Sequence, residues 1–181
     1  MIMFSTLSVF VAIVVDFVKY DNKSDTKKSR KSIVATGTMV GFYNFYFFTI
    51  RFHIGSLNFI SPTCAVFGTA MVVSGAVINI LGRLTLKNNW ANHIKIYKGH
   101  KLMVTGSYRF VRHPLYSSIM LMLIGGSIAY RNWLSAILTI IIFIPFMYYR
   151  AKQEENLLSV EFLDYSVYKR RTGMFFPKIR R

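Results

Sequence analysis

The sequence predicts an all-α integral membrane protein with about five transmembrane helices, a pocket on the cytoplasmic face and an amphipathic C-terminal helix. Three observations predict it. Of the 181 residues, 53% are hydrophobic and the mean hydropathy is +0.37, which is more apolar surface than one water-soluble domain of this size can bury. The formal net charge is nonetheless +16, which would repel itself on so short a chain if spread evenly. The apolar and basic residues are also segregated along the chain, as expected where the bilayer is the solvent for one set. The hydrophobicity excludes a disordered chain. The single cysteine, Cys64, excludes an intrachain disulfide scaffold.

Five apolar stretches follow in order. The first, Met1 to Val18, carries one acid, Asp16, near its end. It lacks a basic start and a clear small-residue cleavage site, so it is expected to be a span rather than a cleaved signal peptide. The second, Ile33 to Ile50, has no charge, and the third runs from about Phe59 to Gly82. The fourth is Leu115 to Tyr130 and the fifth Asn132 to Tyr149. Eighteen helical residues reach roughly 27 Å, enough for the hydrocarbon layer. The fourth, at 16 residues, needs Trp133 or a locally thinned bilayer to complete its span. Only Arg131 and Asn132 separate the last two stretches, which predicts a tight antiparallel hairpin. Pro145 is expected to kink the fifth span. Chain organisation is read as one membrane domain over 1–181, with N-terminal spans in 1–82 and the functional part in 83–181.

The charges orient this array. Lys19 to Lys31 holds six basic residues, Arg83 to Arg112 seven, and the chain from Arg150 onward eight, whereas only Arg51 and Arg131 fall on the opposite side. The positive-inside rule then puts the N-terminus outside and the C-terminus in the cytoplasm. Topology thereby accounts for a pI near 10.2 without nucleic acid as a partner; anionic membrane lipids are the expected partners of these loops. No GxGxxG, Walker or HExxH pattern is present. His93 and His100 have no acidic or cysteine neighbours, so no metal site is expected. Gly37 and Gly41 form a GxxxG that permits close helix packing, and the Asn22-Lys23-Ser24 sequon lies in a loop read as cytoplasmic.

Two cytoplasmic segments carry chemistry. From His100 to Tyr116 a basic, turn-rich segment with Gly106 runs into His113-Pro114 at the mouth of the fourth span. Pro114 suits a first helical turn, and the free N–H groups there favour an anion. Arg109, Arg112, His113, Tyr108 and Tyr116 gather around it, either as an interfacial belt or as a site. At the far end of the hairpin, Arg150 and Lys152 precede Glu154 and Glu155, two of only seven acids. Arg150 and Glu154 are i, i+4 neighbours suited to a helix pair. The hairpin returns them to the membrane face of His113, making a pocket suited to a zwitterionic or cationic small molecule beside a lipophilic one.

With these residues in place, the sequence resembles the isoprenylcysteine carboxyl methyltransferase family and the related phospholipid methyltransferases. The matching pieces are Trp90, His100-x-Leu102, Gly106-x-Tyr108, Arg112-His113-Pro114-x-Tyr116, Arg150 with Glu154-Glu155, and Tyr165-x-x-Tyr168-x-x-Arg171, over about residues 80 to 178. The resemblance implies S-adenosylmethionine as the cofactor, with His100, Lys101, Leu102, Met103, Tyr108, His113, Pro114, Leu115, Tyr116 and Glu154 in contact with it. It implies Arg150 as the catalytic, substrate-orienting residue, holding a carboxylate bidentately on a prenylated or other lipophilic acceptor. Two departures stand out: Ser118 occupies a position where the family usually has glycine, and Val104 replaces a common threonine. The alternatives are a phospholipid N-methyltransferase, a nicotinamide-dependent sterol-type reductase, and a non-catalytic membrane interaction protein. The segment from Glu155 to Arg171 reads as an interfacial amphipathic helix with Leu158, Phe162 and Tyr165 on one face.

Overall fold

The computed structural model describes residues 30–58, 61–86 and 102–178, with backbone alone for 30–36. The first apolar stretch, the loop residues before Arg30, and the segment 87–101 with Trp90, His93, His100 and Lys101 lie outside the described residues.

All regular structure among the described residues is helical. The elements are α1 (Arg30–Arg51), α2 (Pro62–Leu86), a 3-10 turn (Gly106–Arg109), α3 (Pro114–Ala129), α4 (Trp133–Glu161) and α5 (Tyr165–Arg171). Two of them, α2 and α4, are long and apolar enough to cross a membrane; α3 is apolar but shorter. Large apolar side chains such as Val66, Phe67, Ile140 and Ile141 are exposed on these helices, as expected where lipid rather than water is the neighbour.

The α3–α4 hairpin forms as the spacing predicts, and its turn is built in detail. Arg131 adopts a left-handed φ of 52°, and the buried Asn132 caps α4 by accepting from the Ser135 N–H at 2.9 Å. Its amide also donates to Thr49 O at 3.2 Å, Ile54 O at 3.0 Å and Ser56 Oγ at 3.1 Å, which ties the end of α1 to the hairpin. Leu57 N donates to Arg131 O at 3.0 Å. Arg51 and Arg131, the two basic residues that stand apart in the charge pattern, therefore share one end of the molecule.

Close packing of α2 on α3 does not use the anticipated GxxxG. Gly37 and Gly41 are exposed and have nothing within 4 Å of where a Cβ would stand. The contact runs instead through Gly68, Gly75 and Gly82, one every seven residues, all buried. A Cβ on Gly68 would strike the backbone of Gly125 and Ala129, one on Gly75 would lie 2.8 Å from Ser118 O, and one on Gly82 would lie 2.8 Å from Leu115 Cδ2. The buried Ser118 spans this interface, accepting from Asn79 Nδ2 at 2.8 Å and donating to Leu115 O at 2.7 Å.

One further expectation changes, and the surroundings of Pro145 are defined. Pro145 lies inside α4, and a π-helical turn over Thr139–Phe143 precedes it, absorbing the hydrogen bond and the space that proline denies the preceding turn. Thr139, buried within that turn, returns its hydroxyl to Ser135 O at 2.7 Å. The C-terminal amphipathic helix is not continuous from Glu155 to Arg171: α4 ends at Glu161, a turn follows, and α5 starts at Tyr165. Leu158, Phe162 and Tyr165 do turn inward, while Leu157, Val160 and Leu163 face out.

Adding a methyl group where backbone must yield costs about 1–3 kcal/mol. Gly68→Ala is expected to lower the detergent unfolding midpoint accordingly, whereas Gly41→Ala changes stability by no more than about 0.5 kcal/mol. Equal melting shifts in the two variants would remove the glycine seam from the packing argument.

Candidate functional site

The start of α3, the end of α4 and the C-terminal tail meet around one carboxylate. Glu155 is fully buried, and Arg112 Nε donates to its Oε1 at 2.7 Å while Lys169 Nζ lies 3.0 Å from its Oε2. His113 Nε2 is 3.5 Å from Oε1 of the same group. Arg112 also donates to the carbonyls of Lys169 and Thr172. The tail then runs beside the 111–117 segment: Arg112 N donates to Gly173 O at 2.9 Å, His113 N to Met174 O at 3.1 Å, and Ser117 Oγ to Phe175 O at 2.8 Å. Tyr168 OH donates to Tyr108 O at 2.6 Å, so the tail also fastens the 3-10 turn.

Glu154, on the next position of the helix, points elsewhere. It is partly exposed, lies 3.6 Å from His113 Nδ1 and accepts from Tyr116 OH at 3.2 Å. His113 and Tyr116 are stacked, with ring centroids 5.5 Å apart and 4° between planes. His113 is buried at the first turn of α3, where burial disfavours the imidazolium, but the carboxylates of Glu154 and Glu155 outweigh it and raise its pKa above the ordinary 6.5. Burial likewise raises the Tyr108 hydroxyl above the usual phenol range, with the charge of Glu154 adding to the shift and that of Arg83 opposing it.

Arg150 does not pair with Glu154 as the i, i+4 spacing invites. It is buried, 7% exposed; its Nε has no hydrogen-bond partner, and Nη1 meets the Met39 thioether at 3.8 Å. No carboxylate stands within ion-pair distance of it among the described residues. A thioether is a weak acceptor; the Tyr116 hydroxyl and the Glu154 carboxylate stand near enough to feel the charge of Arg150.

The structure thus brings His113, Tyr116 and Glu154 into contact, with Tyr108 and Arg150 beside them. Pro114 is buried as the first residue of α3, and Leu115 packs on Gly82 of α2, so both shape the helix mouth rather than join the polar cluster. Leu102 and Met103 lead into the turn, where Thr105 donates to Met103 Sδ at 3.4 Å. His100 and Lys101 lie outside the described residues. The sequence reading missed Glu155 as the hub and Lys169 as its partner; the scarcity of acids in the chain was the one available signal. Among the described residues, no three His, Cys, Asp or Glu side chains are grouped to hold a metal.

A profile of the Isoprenylcysteine carboxyl methyltransferase (ICMT) family matches residues 66–160. The chain is 29% identical over 130 residues to the Protein-S-isoprenylcysteine O-methyltransferase of Saccharomyces cerevisiae, covering 70% of this chain and 54% of that one. It is 30% identical over 94 residues to Protein-S-isoprenylcysteine O-methyltransferase B of Arabidopsis thaliana, covering 51% and 48%. It is also 34% identical over 108 residues to the Nickel-cobalt-cadmium resistance protein NccN of Alcaligenes xylosoxydans xylosoxydans, covering 58% and 47%. The chain spans about half the length of these relatives.

Two stability measurements follow from the cluster. Leaving Arg112 without its buried anion costs about 3–5 kcal/mol, so Glu155→Gln is expected to depress the melting temperature strongly. Lys169→Ala costs under about 1 kcal/mol, because Lys169 is 43% exposed and solvent screens it. Because the folded pKa of His113 is raised, its contribution is complete below the ordinary histidine value and is lost as pH climbs through the folded one. Wild-type stability should therefore fall as the pH is raised above about 6.5, and His113→Gln should flatten that dependence; an unchanged slope would exclude His113 as its source.

Proposed function

Because the chain belongs to the isoprenylcysteine carboxyl methyltransferase family, we propose that it is an integral-membrane, S-adenosylmethionine-dependent methyltransferase acting on a lipophilic carboxylate, of the prenylcysteine kind. The observation that carries the acceptor's chemistry is Arg150. A guanidinium 7% exposed, with an unpartnered Nε, a thioether at Nη1 and no carboxylate within ion-pair distance among the described residues, is suited to a carboxylate that reaches it. Arginine offers two parallel donors to such a group, which lysine does not.

The residues at the mouth of α3 suit the proposed donor. Glu154 keeps a partly open edge beside the stacked His113 and Tyr116, where an ammonium or sulfonium finds a negative charge and an aromatic face. Leu102, Met103 and Tyr108 would border it, together with His100 and Lys101 of the undescribed segment. S-adenosylmethionine supplies an electrophilic methyl group when bound. A carboxylate acceptor is already an anion, so the chain needs no general base. Its task is to align the acceptor and exclude water, and such alignment is worth roughly 7–11 kcal/mol of barrier.

In this reading the protein crosses the membrane several times, with its N-terminus outside and its C-terminus and site in the cytoplasm. The acceptor comes sideways from the bilayer, and the basic loops rest on anionic lipid. The structure's grouping of Arg83, Arg112 and Arg150 at the end opposite Arg51 and Arg131 supports this orientation.

Purified protein in vesicles, given labelled S-adenosylmethionine, is expected to methylate a farnesylcysteine analogue in preference to phosphatidylethanolamine; labelling of the amine lipid alone would point to an N-methyltransferase instead. Arg150→Lys should lower turnover by about 10- to 100-fold, as expected for losing one charge-assisted bond, with donor affinity unchanged. Glu154→Ala should weaken donor binding about tenfold. Wild-type affinity in that variant would take Glu154 out of the site.

A further inference from the structure

The seam between α1 and α4 changes character along its length. At the hairpin turn it is held by hydrogen bonds, with the Asn132 amide on the carbonyls of Thr49 and Ile54. Further along, Phe42 meets Phe143 with ring centroids 4.9 Å apart, and Tyr46 OH donates to Leu123 O of α3 at 2.6 Å. At the end that bears the site, Met39 of α1 meets Arg150 of α4, Sδ to Nη1 at 3.8 Å. Met39, Phe42, Tyr46 and Thr49 are spaced by three or four residues, so they share one face of α1. Phe143 and Arg150 stand about two turns apart on α4 and meet that face. The contact at Arg150 is the soft one of this series. A thioether is a weak acceptor, and methionine turns about three side-chain bonds and adapts to irregular surroundings. Met39 is only partly buried, at the edge of the core, so moving it aside disturbs little packing.

We infer that Met39 is a specificity-determining residue of the acceptor site: its thioether covers the Nη1 edge of Arg150 and yields that edge to a carboxylate. This deepens the methyltransferase reading above and rests on it. A carboxylate makes charge-assisted bonds about twice as strong as neutral ones, and takes two of them in parallel, so it displaces the thioether. A lipid without an anion gains little more at Arg150 than the methionine already supplies, and leaves it in place. The methyl ester that the reaction forms belongs to that second class. Its carboxyl group loses its negative charge as the oxygen bonds to the methyl carbon, and Met39 then regains Arg150. One side chain thereby favours entry of the acid and release of the ester.

The test follows isotope-labelled methionine methyl signals by NMR on the detergent-solubilised full chain, with the Met39 signal assigned by its loss in Met39→Leu. A farnesylcysteine analogue bearing a free carboxylate is expected to shift that signal, and its methyl ester to leave it near its starting position. By calorimetry, Met39→Ala should tighten binding of the acid about two- to fivefold, the scale of one neutral hydrogen bond, with S-adenosylmethionine affinity unaltered. Met39→Glu, which tethers a carboxylate at the same edge, should weaken the acid about tenfold or more. A Met39 signal that the bound acid leaves unmoved, or that acid and ester move equally, overturns the inference and leaves the methyltransferase reading standing. So does a Met39→Glu variant that binds the acid as tightly as the wild type. A wild type that does not bind the acid overturns both.

Discussion

The fully buried carboxylate of Glu155 is the interaction on which the rest of the site depends. A charge taken out of water is tolerated only when paired and hydrogen bonded, and this one draws Arg112, His113 and Lys169 around itself from two other parts of the chain. Satisfying it brings the end of α4, the mouth of α3 and the C-terminal tail together. The tail then pairs its backbone with Arg112 and His113 and closes over the 3-10 turn through Tyr168. Lys169 contributes least, being exposed and screened. The pair that decides the geometry is Arg112 with Glu155.

That arrangement presupposes a rigid platform, and the α2–α3 seam supplies it. Glycines seven residues apart on α2 let two backbones approach to contact, which is how helices associate where lipid offers no hydrophobic gain from their meeting. Ser118 and Asn79 add a hydrogen bond across the same seam, so the platform beneath the site is both close-packed and polar. At the opposite end Asn132 performs the equivalent task, locking α1 to the hairpin turn.

Much of this was legible in the sequence and some was not, for physical reasons. Apolar runs bounded by basic loops gave α2, α3 and the start of α4 to within a few residues, because hydropathy reads the solvent directly; α4 continues to Glu161, past the apolar run that ends at Tyr149. The hairpin turn was legible in the two residues Arg131 and Asn132. The seam was not: a four-residue glycine spacing in α1 drew notice, while the seven-residue spacing of Gly68, Gly75 and Gly82 depends on which face α2 turns to α3. Helical spacing likewise offered an Arg150–Glu154 pair, but Glu154 turns to Tyr116 and His113 once the hairpin folds. The pairing of residues 111–113 with 173–174 joins segments some sixty positions apart, and no local pattern announces it.

The division of labour among the arginines carries the functional argument furthest. Arg112 is neutralised by Glu155 and closed in by tail carbonyls, so it holds structure. Arg150, a helix away, keeps its charge in a buried place with the Met39 thioether at Nη1 and with Tyr116 and Glu154 near enough to feel it. Holding a buried cation without a direct carboxylate partner costs stability, and such a cost persists at sites where a ligand later removes it. The same imbalance discriminates among acceptors. A site built for an ion rejects a molecule lacking that ion more strongly than a hydrophobic pocket rejects one of the wrong length, because the buried charge is then left unpaired. On the proposed reading, an acceptor is recognised by its carboxylate at Arg150, while its lipid portion lies in the bilayer against the exposed apolar faces of the helices.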